Sequence, residues 1–538
     1  MQMLKCRSVV HALLVTFVVA LCFSQFAAAH GDNTEGLGSV HFEISCGEEA
    51  QRGFERALAM LHSFWFPQTI NAFTEVAKAN PDCAMAYWGV AISQRLNPLV
   101  GAPTQDLTKR GSEAIEMAKS LPAPTQRERD YIAAMGAYYQ DWDKVDHAKR
   151  VLAFESAMEQ IYLKHPEDLE AAVLYVLELN EAITVAPPDK TYARQLKAAQ
   201  IARDVLAKEP DHPGALHYLI HSYDYPALAE RGLSTARQYA ATVSSAPHAL
   251  HMPSHIYSML GMWQESIDSN RAAIGIAKNY VHALDFMMYA HLQMAQDRGA
   301  QRVIIESLAL QKTGSAAQRT PTGGLLTVYT AYAAMPARYA IERGAWREAA
   351  ALELHPQSPA ADAITLFTRA MGAARLGTVD HAREDIQALQ LLRKELIASN
   401  QGYWAEQVEI QVKAASAWVS LADGNKAEAL SLMRKAADME DASEKHVAME
   451  NRLWPMRELL GELLLQLDEP ALALHEFEAS LAVARNRLRG LYGAAKAAQT
   501  MGDGAKARSL YEDILTLTKN ADSDRLEITV AKEFLKRQ

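Results

Sequence analysis

The chain has 538 residues, 49% hydrophobic and 22% charged, a balance that supports a large core and excludes a disordered chain. Its formal net charge is −10 with no basic stripe, which excludes binding to a nucleic-acid phosphate backbone. The length fits several domains or one long repeat array.

Residues 1–29 read as a secretion signal. Lys5 and Arg7 charge its start, Val9 to Phe23 is largely apolar, and Ala27, Ala28 and Ala29 form a small-residue cleavage pattern. The apolar run is shorter than the ~20 residues that span a bilayer. Cleavage after Ala29 is therefore expected, with a periplasmic or secreted chain and no membrane span. Cys6 and Cys22 leave with the signal. Cys46 and Cys83 remain, and an oxidising compartment favours a disulfide between them over two buried thiols.

After an N-terminal segment at 30–49, the chain reads as helix after helix. Apolar residues recur at helical spacing, and no stretch alternates as a strand would. A first helical array spans 50–311, a Thr-, Gly- and Ser-rich linker 312–325, and a second array 326–538. Arg525 to Arg537 reads as a capping helix with a polar outer face.

A period of 34 residues is visible near the C-terminus. Leu460-Gly461 precedes Ala473 and Phe477; Ala473 maps to Ala507, Phe477 to Tyr511 and Leu481 to Leu515. Gly461 maps to Ala495, another small residue suited to a close helix crossing. Pro81 and Pro210 end units nearer the N-terminus. This pattern resembles the tetratricopeptide repeat family. The resemblance implies an all-α, right-handed solenoid of helix pairs in two halves. Units that contact only their neighbours predict an elongated molecule. The strings His-Ser-Phe-Trp (62–65), His-Tyr-Leu-Ile-His-Ser-Tyr-Asp (217–224) and His-Met-Pro-Ser-His-Ile-Tyr (251–257) are similar to a group of secreted bacterial tetratricopeptide proteins. That likeness implies architecture and no chemistry.

Of 18 histidines, eight fall between His212 and His291. His217 and His221 are i,i+4 and share a helix face, as do His251 and His255. The pairs lie one 34-residue period apart, with Pro213 and Pro247 at equivalent first positions. The family resemblance implies that positions two, five, nine and twelve of each first helix line a concave groove. Position two holds Gly214, His248 and His282; position five His217, His251 and Asp285. Position nine holds His221, His255 and Tyr289; position twelve Asp224, Ser258 and Leu292.

Neighbouring helices stand about 8–10 Å apart, so two such pairs can converge on one ion or two. His217, His221, His251 and His255 are the expected ligands. His248, His282, Asp285, Asp224 and Tyr289 are further ligands or supports. Imidazole donors suit zinc or copper. A metal-free groove that hydrogen-bonds its ligand is the alternative. Pro253 threatens the helix that carries His251 and His255.

Elsewhere, the aromatic positions His62, Trp65, Tyr87 and Trp88 read as core. Arg485, Arg487 and Arg489 read as a solvated basic face, and Glu458 and Glu462 as surface charge. Phosphate loops, nucleophile elbows, His-Glu-x-x-His and Cys-x-x-Cys are all missing from the sequence. Three functions follow. The first is an exported binding protein taking a peptide, protein or small ligand in a groove with a histidine metal site. The second is a metalloenzyme on that site with an open coordination position. The third is a metal-free assembly scaffold.

Overall fold

The computed structural model describes residues 36–314, 322, 325–356, 358–447, 449 and 452–537. The expected signal at 1–29 lies outside them, as does most of the expected linker. The Asp297–Thr313 helix runs through Lys312 and Thr313, so the first array extends two residues into that linker. The described residues form helices and connecting turns, with no strand among them.

Local chemistry explains where helices begin. Thr125 starts the Gln126–Tyr139 helix with a reciprocal box: its hydroxyl accepts from the Glu128 amide, and the Glu128 carboxylate accepts from the Thr125 amide. Asp146, Asp168, Ser358 and Asp503 cap other first turns in the same sense. Each helix packs on the next and often on the one after, which makes the array an all-α solenoid. The 34-residue motif has a steric cause. A Cβ on Gly461 would stand 2.9 Å from the Phe477 ring, and one on Gly493 2.3 Å from it. Phe477 therefore wedges between two helices that must both be bare at that point.

The N-terminal segment folds onto the first helices. Leu37, Val40, Phe42 and Ile44 are buried there. The Phe42 and Ile44 amides donate to Glu55 and Gln51 at 3.1 and 2.9 Å. Cys46 and Cys83 form a disulfide, with Cα atoms 5.8 Å apart. Among the described residues no helix is long and apolar enough to cross a membrane.

The molecule departs from an open, elongated array, because the second half returns to the first. The Trp263 indole donates to the Asn486 carbonyl at 2.9 Å, and the Leu488 amide to Gln293 Oε1 at 3.1 Å. Lys190 donates to the Ser443 carbonyl at 2.8 Å, and Arg485 pairs with Glu230 at 2.6 Å. Arg487 is fully buried, contrary to a solvated basic face. It holds Glu458 at 2.9 Å, Glu342 at 2.9 Å and the Tyr289 hydroxyl. Glu458 is equally buried, so the Arg487–Glu458 pair is an internal clasp and not surface charge.

Candidate metal centre

Three short stretches of helix carry the site: Pro213–Tyr223, the broken run Pro247–His251 and Pro253–Leu260, and Val281–Gln293. Every residue of Pro213–Tyr223 is buried. A helix covered on all sides does not line an open groove. The positions expected to face a groove do face inward, but into packed protein.

Six histidines fall into two trios, His217–His221–His248 and His251–His255–His282, with the ligand atoms of each trio within 4.8 Å of one another. Both trios are buried. His217 Nε2 lies 3.0 Å from His221 Nε2 and 3.1 Å from His248 Nε2. His251 Nε2 lies 3.0 Å from His255 Nε2. Pro253 does break the helix, at Met252. Met252 nevertheless keeps right-handed helical torsions (φ −53°, ψ −36°), so His251 and His255 stay on one face.

Hydrogen bonds at the far ring atoms decide where the protons sit. The Asn270 Nδ2 donates to the Ser266 carbonyl at 2.7 Å, which orients the amide. Its Oδ1 then accepts from His251 Nδ1 at 2.6 Å. Asp224 Oδ2 accepts from His255 Nδ1 at 2.8 Å. Both rings therefore carry their proton on Nδ1 when neutral, and two bare Nε2 lone pairs face each other. His217 Nδ1 donates to the His62 carbonyl at 2.6 Å, so its Nε2 is bare as well and faces two imidazoles. His248 Nδ1 meets the Tyr280 hydroxyl at 2.7 Å. His282 Nδ1 is buried without a hydrogen-bond partner.

An imidazolium would relieve the facing lone pairs, but the surroundings resist that charge. Burial holds His217 down to about 3 and His251 to about 4. Burial and the neighbouring imidazoles hold His221, His248, His255 and His282 well below the ordinary histidine range. Left bare, each buried acceptor costs about 1–3 kcal/mol. A metal ion removes that cost, and the far-side bonds to carbonyl, amide and carboxylate are those that orient metal-ligating histidines. The spacing also fits, since Zn–N bonds of about 2.0–2.1 Å put tetrahedral nitrogens roughly 3.3 Å apart.

A third cluster, His62–Glu170–His212, reads differently. His212 Nδ1 accepts the Ala215 amide at 3.3 Å as a helix cap, so its Nε2 carries the proton to Glu170 at 3.1 Å. His62 Nε2 lies 2.9 Å from the other Glu170 oxygen, and its Nδ1 2.9 Å from the Tyr218 hydroxyl. Protons satisfy every atom of this network. Its place is structural: it fixes the His62 backbone that receives His217. A Cβ on Gly214 would stand 2.6 Å from His62 Nδ1, so this approach requires glycine.

An apolar plate closes each trio. Phe64 lies 4.5, 6.0 and 5.4 Å from the His217, His221 and His248 rings. Phe286 lies 4.7, 4.8 and 5.0 Å from His251, His255 and His282. Phe64 holds a left-handed backbone (φ 48°), a strained state for a bulky residue that its packing must sustain.

The other expected residues divide. Asp224 supports His255 and is bound by Lys445 at 3.3 Å. Asp285 turns to Arg338 at 3.2 Å and away from ligation, with burial raising its carboxyl to about 6 against that guanidinium. Tyr289 goes to Arg487. His62, Phe64, Asn270, Tyr280, Phe286 and Lys445 are parts of the site that repeat spacing did not reveal. One signal was available: His-x3-His-x26-His occurs twice, at 217–248 and 251–282.

No family model matches the chain, and no curated protein matches it. Among solved structures, the Naa15/Naa10 complex bound to HypK-THB is similar over 91% of this chain and 73% of that chain, at 14% identity and a TM-score of 0.25. The human IFIT1 dimer with PPP-AAAA is similar over 81% of this chain and 90% of that chain, at 10% identity and a TM-score of 0.38.

Proposed function

We propose that this chain is an exported helical-repeat protein that holds zinc or copper on His217, His221 and His248 and on His251, His255 and His282. The observation that carries this reading is the pair of bare Nε2 atoms of His251 and His255, 3.0 Å apart, with both protons committed to Asn270 and Asp224. Neutral imidazoles in that arrangement repel, and a first-row metal ion turns the repulsion into ligation. Export is supported by the leader-like residues 1–29 and by the Cys46–Cys83 disulfide. The sequence likeness to secreted bacterial tetratricopeptide proteins points the same way.

The test is elemental analysis of the purified chain, prepared without chelator or metal-affinity resin. At least one equivalent of zinc or copper per chain is expected, and the double substitution His221→Ala with His255→Ala should abolish it while the helical signal persists. A metal-free wild-type chain, even after reconstitution, would overturn the reading. Catalysis is a second reading, favoured by one observation: each trio offers three protein ligands, the number found at catalytic metal sites, although a phenylalanine ring packs against each trio. Azide binding at the loaded site would show an open position.

A further inference from the structure

We infer that the two trios are separate sites, related by one repeat, that together hold a pair of copper ions taken up as Cu(I). This rests on the metal-binding reading and adds the number, the kind and the charge of the ions.

The number follows from the register. Adding one 34-residue period to His217, His221 and His248 gives His251, His255 and His282, the complete second trio. Each trio takes positions five and nine from one unit and position two from the next. One more step forward gives Asp285, Tyr289 and Ala316, and one step back gives Ile183, Pro187 and Gly214. The ligand set therefore occurs twice and ends there. Each trio also has its own phenylalanine plate, Phe64 or Phe286. A single ion shared by six nitrogens would need one common gathering point, whereas the rings gather about two. The trios are nevertheless neighbours, with His248 and His251 ring centroids 5.8 Å apart and His221 and His255 6.0 Å apart.

The charge follows from what surrounds them. Six neutral imidazoles contribute none. Asp224 is already matched by Lys445 at 3.3 Å, and Asp285, one turn from His282, by Arg338 at 3.2 Å. Two divalent ions would add four positive charges to a buried region where Asp224 and Asp285 are already paired and Glu170, which accepts from His62 and His212, offers a single further negative charge, which low-dielectric surroundings oppose. Two monovalent ions halve that burden. Imidazole suits copper, and Cu(I), its monovalent form, accepts three nitrogen donors without requiring a fourth ligand. Zinc, always divalent, would have to bring anions with it.

The experiment loads metal-free full-length chain with Cu(I) alone under anaerobic conditions, removes excess by desalting, and counts copper after denaturation. Two copper ions per wild-type chain are expected, and one in each of His221→Gln and His282→Gln, with circular dichroism unchanged. An equal concentration of Zn(II) should leave the copper in place. One copper per wild-type chain would overturn the paired sites, and Zn(II) displacing the copper would overturn the assignment of the ion. The wild-type count decides this even if a variant misfolds. Binding of neither ion would instead remove the metal reading itself, a result distinct from a count of one.

Discussion

His255 donates Nδ1–H to Asp224, and Asp224 in turn receives Lys445, so one carboxylate fixes both the tautomer of a proposed metal ligand and a buried ammonium. Asp224→Asn keeps the shape and removes the charge that orients the ring. Metal affinity should fall about 10- to 100-fold, the usual effect of removing such a partner, as read by competition against a chromophoric chelator. Unchanged affinity would mean that His255 is not a ligand. At this scale the sequence was partly legible. His217, His221, His251 and His255 stand out because i,i+4 spacing and the 34-residue register are both local. His248 and His282 were visible only as additional groups, because a position-two residue joins the trio of the preceding unit across a helix interface. Phe64, Asn270 and Lys445 gave no signal. The contacts that matter there span up to 221 residues of chain, and no spacing rule reaches so far.

The histidine-bearing helices link folding to acidity. In an unfolded chain these imidazoles take up protons near their ordinary value of 6.5; in the folded helices burial delays uptake at His217 to about 3 and at His251 to about 4. The unfolded state thus binds more protons through that window. Stability is complete above about 6.5 and is lost progressively as pH falls toward 3. Thermal melts of the chelator-treated chain should show a flat Tm above pH 7 and a falling Tm below about 6.5. A Tm that rises on acidification would contradict the buried, neutral state. The Pro253 element illustrates how a valid local rule is overridden. Proline does end the helix, as its missing N–H requires, but Met252 keeps helical torsions and the two histidines keep their common face.

Across the whole molecule, the join between the two helical arrays includes Arg487, a charged group that repeat analysis places on the surface and that reaches the Tyr289 hydroxyl of the first array while pairing with two carboxylates of its own. Arg487 lies between Glu458 and Glu342 with no solvent contact. Arg487→Met would leave Glu342 buried without its cation and Glu458 with only the more distant Arg489 at 3.9 Å, and a loss of about 3–5 kcal/mol is expected. Chemical denaturation followed by circular dichroism checks it, and a variant of wild-type stability would show that Glu458 and Glu342 do not need this cation. The all-α solenoid was legible because each unit repeats a local rule, such as the wedge of Phe477 against Gly461 and Gly493. The closure was not, since the Arg487–Tyr289 contact joins residues 198 apart and leaves no period to read.

That closure bears on the retention of an ion. The Val281–Gln293 helix, which brings His282, also receives Leu488 and Arg487 from the second array, while Lys445 of that array secures Asp224 beside His255. An ion held on the proposed trios would thus depend on supports from both arrays, and its retention would be coupled to the contact between them.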